Sequence, residues 1–432
     1  MAPLSSEPEH QNSSRKNRFA DVLFFGLIVF MGIRIVDLAD TRGFENDFAH
    51  YYVSSKAFLS GNSDIYRIDL GPEYERLNWT KMDEPVFRAS NPPALLIFFC
   101  AFAVFPPNIA FWLWVTLQIV CLVLIYCICK RLIGNRLSDD QYKMVISAFL
   151  VLPILEAHFH YSQVQLLLLV LVLWAYDLSK RGNFLSSCLL ICVASLLKIF
   201  PLVLLPWFVW NCGRRASQRV RIGVASAAML LAGLIATGPY LWIDFFETAS
   251  KGISVWAKSF PSYSICSFFS KFGIIISGSN GSALTNTLFS IGLAVSLLML
   301  TLFYVATTGI FGKGRFDDRD KDVEFSTLLV LMLLCGTTCW LHYLVFIFFP
   351  VCIALSKLLE QPDRFKWAIA GSVFLMLHTS LFVSLANGPT KLVVTNLPFI
   401  ALCILLGFLA TILFGSPAVG NKQRFNADAL VN

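Results

Sequence analysis

The sequence predicts an all-α polytopic membrane protein with about ten to thirteen hydrophobic passes and no soluble domain. Three observations predict it. Of 432 residues, 56% are hydrophobic and only 14% are charged, against roughly 25% charged in a soluble domain. Mean hydropathy is +0.67, and the shortage of charge extends along most of the chain, so one anchor helix does not account for it. Apolar runs such as 164–175 and 288–305 do not alternate, which argues against barrel strands. Backbone groups in hydrocarbon must bond internally, so the runs read as helices.

The net charge of +7 is read as Lys/Arg loops on the cytoplasmic side rather than a nucleic-acid footprint. The bilayer is therefore the expected partner, and no nucleic acid is expected. The twelve cysteines fall mostly inside apolar runs, as Cys100, Cys121, Cys127, Cys188, Cys192, Cys335 and Cys403 do. None forms a CxxC pair, so they read as small apolar packers.

The polar stretch 1–17 precedes the first apolar run without a small-residue cleavage site, so 19–36 reads as a retained span. Arg15, Lys16 and Arg18 place its start in the cytoplasm. The mixed-charge interval 40–91 then forms a first extracytoplasmic loop. Residues 94–105, between Pro92-Pro93 and Pro106-Pro107, are too few for a full span. They form a re-entrant or interfacial helix, or a short tilted span. The segment 109–129 runs inward to Lys130 and Arg131. Segment 145–156 goes out, 158–165 turns outside, and 166–176 returns to Lys180-Arg181. Segments 184–200 and 201–210 form either a broken pair or one long kinked helix around Lys198–Pro206. After 222–241, a second outer region covers 242–286. Spans over 288–311, 324–340, 342–358, 367–385 and 392–414 complete the set. Every short Lys/Arg cluster falls on one side. Residues 1–18 and 415–432 are cytoplasmic tails around a single transmembrane domain, 19–414.

Ionisable groups beside spans are costly and commonly functional. Asp47 follows the first span, and Tyr51, four residues on, shares its helix face. This carboxylate is either a general base for a sugar hydroxyl or a helix cap. Lys198 is either a phosphate-binding point charge or a snorkelling lysine. Arg88 is a second phosphate candidate or an ordinary loop charge. His342 is a binding group or a hydrogen-bonded core histidine, and its neighbour Trp340 also suits an aromatic belt. His158 and His160, two apart, do not share a helix face, and no acidic cluster suits a divalent cation. No metal and no cofactor are expected.

These positions recur in the order of a known family. Asp47, Tyr51 and Tyr52 are followed by Gly61-Asn62-Ser63-Asp64-Ile65-Tyr66, then Asn91-Pro92-Pro93, Ser162-Gln163-Val164-Gln165, Lys198-Ile199-Phe200-Pro201 and Trp340-Leu341-His342-Tyr343. The set resembles glycosyltransferase family 87, within the GT-C superfamily of multi-pass glycosyltransferases. Two departures stand out. Ser162 and Gln165 replace the family's usual glycine and asparagine, and its Asn-Gln-Ser element reads Ser262-Tyr263-Ser264.

The resemblance implies a GT-C-type helix bundle and an inverting hexosyl- or mannosyl-type transfer from a polyprenyl-phosphate sugar to a glycolipid or glycan acceptor. It also implies a plasma-membrane location. An outward-opening pocket independently requires a lipid-linked donor, because nucleotide sugars are cytoplasmic. Polyprenyl phosphate leaves as a stable anion, so a single base, Asp47, suffices, whereas glycosidases use two carboxylates. Lys198, His342 and Arg88 would stabilise the phosphate. Tyr51, Tyr52, Asn91, Gln163 and Trp340 would shape the sugar pocket. The alternative is a transporter or flippase for a lipid-linked sugar. No paired halves are detectable, and the ionisable residues lie near the ends of the predicted spans.

Overall fold

The structure, a computed structural model, describes residues 8–42, 47–77, 88–212, 216–256, 262–279, 281–308, 320–360, 363–378 and 388–415. The described residues are helical with no strand, as backbone satisfaction in lipid demands. The chain begins with α1 (Pro8–Arg42), α2 (Asp47–Leu59), α3 (Gly71–Arg76), α4 (Pro93–Ala103) and α5 (Pro107–Ile133). Next come α6 (Asp139–Leu150), α7 (Pro153–Tyr161), α8 (Gln165–Lys180), α9 (Phe184–Leu197), α10 (Leu205–Asn211), α11 (Ala216–Ala236) and α12 (Pro239–Trp256). Then follow α13 (Ile265–Ser277), α14 (Ala283–Thr308), α15 (Lys321–Leu334), α16 (Phe348–Glu360), α17 (Arg364–His378) and α18 (Gly388–Gly415).

Among the described residues six helices are long and apolar enough to cross a membrane, or seven counting the bent pair α6–α7. The protein is thus a multi-pass membrane protein. The long helices alone do not reach the ten to thirteen passes expected from apolar runs. Other apolar runs form shorter helices, some of them enclosed in the bundle, and residues 379–385 of the expected span 367–385 lie outside the described residues. All residues of α15 but Lys321 are buried, and a helix enclosed by others need not match the hydrocarbon thickness. In contrast, α11 and α14 have only 11% and 17% of their apolar windows buried and form the lipid-facing rim.

Prolines set the breaks that position the site. Segment 145–156, expected as one span, is bent by 55° between α6 and α7. Pro153 opens the second piece, because proline is tolerated in a first turn but not in a helix interior. Around Lys198 the broken pair is found. α9 ends at Leu197, Lys198 is extended (φ −155°, ψ 129°), and a 3-10 turn over Phe200–Leu204 precedes α10. Pro201 and Pro206 each remove a backbone donor there. α4 has 11 residues, about 16 Å, well short of a span. It lies against α2, where Ser55 Oγ donates to the Leu96 carbonyl (2.8 Å) and Lys56 Nζ to that of Ala103 (3.1 Å). α13 and α14 pack with backbones in contact. A Cβ on Gly273 would come within 2.6 Å of Thr285 Cα, and one on Gly292 within 2.8 Å of Cys266 Cα. Small residues allow this close approach in membranes.

The bundle has two chemically different ends. At one, Lys143 pairs with Asp21 and Lys130 with Asp139, while Arg131 meets Asp177 at 2.8 Å. Arg136 bridges Asp320 (2.9 Å) and Asp322 (2.7 Å), Lys180 reaches Asp322 (2.9 Å), and Lys357 reaches Asp320 (3.2 Å). The other end carries the start of α2, the α7–α8 turn, Lys198 and the segment before α16. α8, with 16 residues and hence about 24 Å long, runs from one end to the other.

Candidate active site

Asp47 is the first residue of α2, and one turn on, Tyr51 is buried. Opposite them the chain reverses between α7 and α8 through Ser162, whose φ of 49° and ψ of 46° are left-handed. The turn is fastened from three sides. Ser162 N–H and Gln163 N–H donate to the carbonyls of Phe159 (3.1 Å) and His158 (3.2 Å). The Ser162 carbonyl accepts from Trp114 Nε1 on α5 at 2.9 Å. The Gln163 side chain is thereby aimed at Asp47. The left-handed conformation suits glycine, which accounts for the glycine of the motif that Ser162 replaces.

Gln163 is the hub of the site. Its Nε2 donates to Asp47 Oδ2. Its Oε1 accepts from Tyr51 Oη at 2.9 Å and from Lys198 Nζ at 3.5 Å. Burial, then the nearby Asp47 carboxylate, push the Tyr51 phenol well above its ordinary pKa, and the Val164 N–H opposes this weakly. Tyr51 therefore remains a donor to Gln163. Lys198, freed from the helix by its extended backbone, lies with Nζ 5.3 Å from the Tyr343 ring centre, a cation–π distance. The aromatic and imidazole side of the site follows α15. The Trp340 and His342 rings are nearly parallel (7°) at 6.5 Å, and Tyr161 closes on His342 at 5.5 Å. His342 is buried, and its Nδ1 has no hydrogen-bond partner among the described residues.

The structure thus brings together Asp47, Tyr51, Gln163 and Lys198 by hydrogen bonds, with His342 and Trp340 beside them through Tyr161 and Tyr343. It does not bring in all candidates. Tyr52 turns away and donates to the Phe105 carbonyl at 2.9 Å, tying α2 to the end of α4. Asn91 is buried, and its carbonyl accepts from Tyr66 Oη at 2.6 Å. Arg88 is exposed and makes no hydrogen bond or ion pair with Asp47, Gln163, Lys198 or His342.

The outer turn expected over 158–165 is shorter. α7 runs to Tyr161, and His158 is fully buried with its Nε2 3.0 Å from Gln118 Oε1. Five participants were not singled out by sequence. Tyr343 closes the Trp340–Tyr343 motif without a role of its own assigned to it, and Tyr161 directly precedes Ser162, so position in or next to a motif was the available signal. Trp114 and Gln118 lie on α5 with no local signature. Lys271 is buried on α13, donating to the Ser262 carbonyl (2.6 Å) and Asn396 Oδ1 (3.2 Å). Ser262 Oγ in turn accepts from Cys339 N–H at 3.1 Å, so the chain next to Trp340 is fixed from this side.

Chemically, the cluster holds a carboxylate that can accept a proton and a cation one amide away that can face an anion. Among the described residues no group of three or more His, Cys, Asp or Glu could hold a metal ion.

No curated protein matches the chain. The model of glycosyltransferase family 87 matches residues 90–338, more than half of the 432 residues. The matched region contains Asn91, Gln163 and Lys198 and ends short of Asp47 on one side and of Trp340 and His342 on the other. The fold places those flanking residues against the matched ones. An all-α, multi-pass architecture agrees with that match, and the chain belongs to glycosyltransferase family 87, a family of membrane glycosyltransferases acting on a sugar donor and an acceptor.

Proposed function

We propose that the enzyme transfers a hexosyl, mannosyl-type sugar from a polyprenyl-phosphate donor to a glycolipid or glycan acceptor at the extracytoplasmic face of the plasma membrane. The transfer inverts the anomeric configuration, with Asp47 as the base. The observation that carries this proposal is the meeting of Asp47, Gln163 and Lys198 from three distant parts of the chain. The site lies at the end of the bundle away from the Lys/Arg-bearing ion-pair network, which the positive-inside rule assigns to the cytoplasm. A donor reaching that face through the bilayer must be lipid-borne.

Asp47 accepts the proton of the acceptor hydroxyl as its oxygen attacks the anomeric carbon. The bond to the phosphate oxygen breaks on the opposite face, and polyprenyl phosphate departs as an anion needing no proton. Gln163 N–H fixes the orientation of the Asp47 carboxylate. Lys198 supplies a fixed positive charge for the phosphate, where charge grows in the transition state. His342 adds a ring nitrogen on the same side. Arg88, exposed close to Asn91, can meet an incoming phosphate at the rim. Tyr51 and Trp340 bound the sugar, and Asn91, its carbonyl tied to Tyr66, stays outside the hydrogen-bonded cluster. Tyr52 acts from behind through its bond to Phe105.

Purified enzyme incubated with a panel of polyprenyl-phosphate sugars and acceptor lipids, with mass spectrometry and anomeric assignment of the products, tests this. The expected result is product of inverted configuration from a polyprenyl-phosphate sugar alone. Transfer from nucleotide sugars without added lipid donor overturns it.

A further inference from the structure

α12 has 18 residues, about 27 Å of helix, yet it is not apolar enough to be a span. At about 100° per residue its described side chains fall on three faces. Trp242, Phe245 and Ala249 form a buried face against the protein. Asp244, Glu247, Thr248 and Lys251 form a polar face, closed by a Glu247–Lys251 pair at 2.8 Å. The third face is apolar and open, with Ile243 60% and Phe246 52% exposed, and Tyr240 at the helix start is 82% exposed.

Two further observations say what covers that open face. α11, directly before it, is a lipid-facing span with Val220, Val224, Leu231 and Ile235 exposed. The chain turns from α11 into α12 at Gly238, whose φ of 94° permits a reversal closed to most residues. The bare stripe of α12 therefore continues the lipid-contacting surface of α11. The far side of α12 is clipped to the connection between α2 and α3. Asp244 accepts from Arg67 at 2.5 Å, and Thr248 Oγ1 donates to the Tyr66 carbonyl at 3.3 Å. Tyr66 in turn holds the Asn91 carbonyl.

We infer that α12 is a membrane-surface helix. It lies along the bilayer interface at the site end, with Ile243 and Phe246 among the acyl chains and Glu247 and Lys251 in water. A three-faced helix of low net hydrophobicity packed sideways on a bundle has this arrangement at a lipid–water boundary. The inference rests on membrane residence and on this helix, not on the proposed chemistry.

Nitroxide labels test it. Ile243→Cys, Phe246→Cys, Glu247→Cys and Lys251→Cys are made singly in a background carrying Cys127→Ser and Cys403→Ser. Each is labelled in nanodiscs of zwitterionic and anionic phospholipid. Relaxation is measured with oxygen, which concentrates in hydrocarbon, and with a water-soluble nickel complex. The oxygen-to-nickel ratio is expected several-fold higher at 243 and 246 than at 247 and 251. Equal nickel access at all four positions overturns the inference, and so does protection of 243 and 246 from both reagents, which means covering by protein. A second measurement needs no label. Phe246→Trp is expected to be quenched by lipids brominated near the headgroup, and the absence of added quenching relative to the unsubstituted protein counts against the inference.

Discussion

Gln163→Leu removes the hub of the site while keeping its approximate volume. Three contacts go at once: the donation to Asp47, the acceptance from Tyr51 at 2.9 Å, and the longer contact from Lys198 at 3.5 Å. Lys198 keeps its position over Tyr343, so that contact contributes little to the loss. Tyr51 is buried, and its hydroxyl hydrogen loses its acceptor, which costs about 1–3 kcal/mol of stability. Asp47 loses a hydrogen bond to a charged group, a contribution of about 1.5–3 kcal/mol. If that bond orients the base during transfer, kcat/KM falls roughly 10- to 150-fold. Both effects are measurable on one preparation, by thermal unfolding in detergent and by product formation from a polyprenyl-phosphate sugar. A Gln163→Leu enzyme with unchanged melting temperature and with kcat/KM within twofold of the parent refutes the reasoning. A fall in stability with undiminished kcat/KM confines Gln163 to a structural part.

Lys198→Met, which keeps length and removes charge, is expected to lower kcat/KM for the lipid donor by at least tenfold with little change in melting temperature. Lys198→Arg is expected to recover part of it, and equal activity of all three removes Lys198 from phosphate binding. At Ser162, Gly keeps the left-handed turn and is expected to retain activity within a few-fold. Val, whose β-branched side chain is poorly accommodated at positive φ, is expected to lower both stability and activity, and parity of the two variants contradicts the turn's role. At the opposite end, Arg136→Ala strips a partner from nearly buried Asp322. It is expected to lower the melting temperature and leave the donor KM unchanged. A changed KM means that this end is coupled to the site. Activity is expected to survive chelation by EDTA, because the leaving group is already a stable anion, and loss restored by a divalent cation contradicts that.

Much of this architecture is readable from composition. Runs such as 19–36 and 288–305 must become helices because nothing else satisfies a backbone in hydrocarbon. The breaks are readable only in part. Pro153 and Pro201 announce that a helix starts anew, but not whether the chain bends by 55° or continues kinked, because that depends on which neighbours donate to the freed carbonyls. The passes were harder to count, since an apolar run long enough to cross and a run buried inside the bundle have the same composition. Asp47, Gln163, Lys198 and His342 were legible as a set, through their order along the chain. The hub role of Gln163 was not legible. It depends on Ser162 adopting φ of 49°, and a serine gives no sign of that until Trp114 and Phe159 hold it there. Tyr51 and Tyr52 look equivalent in sequence, yet adjacent helical residues point about 100° apart, so one meets Gln163 and the other Phe105. Lys271 gave no warning, because a lone lysine in a serine-rich segment reads as solvated.

The most direct test of the central claim is single-turnover sugar transfer by Asp47→Asn, which keeps shape and hydrogen bonding but removes the ability to accept a proton. The account predicts a protein that inserts in the membrane, melts normally and binds donor, yet forms no product above background, and product at the parental rate contradicts it.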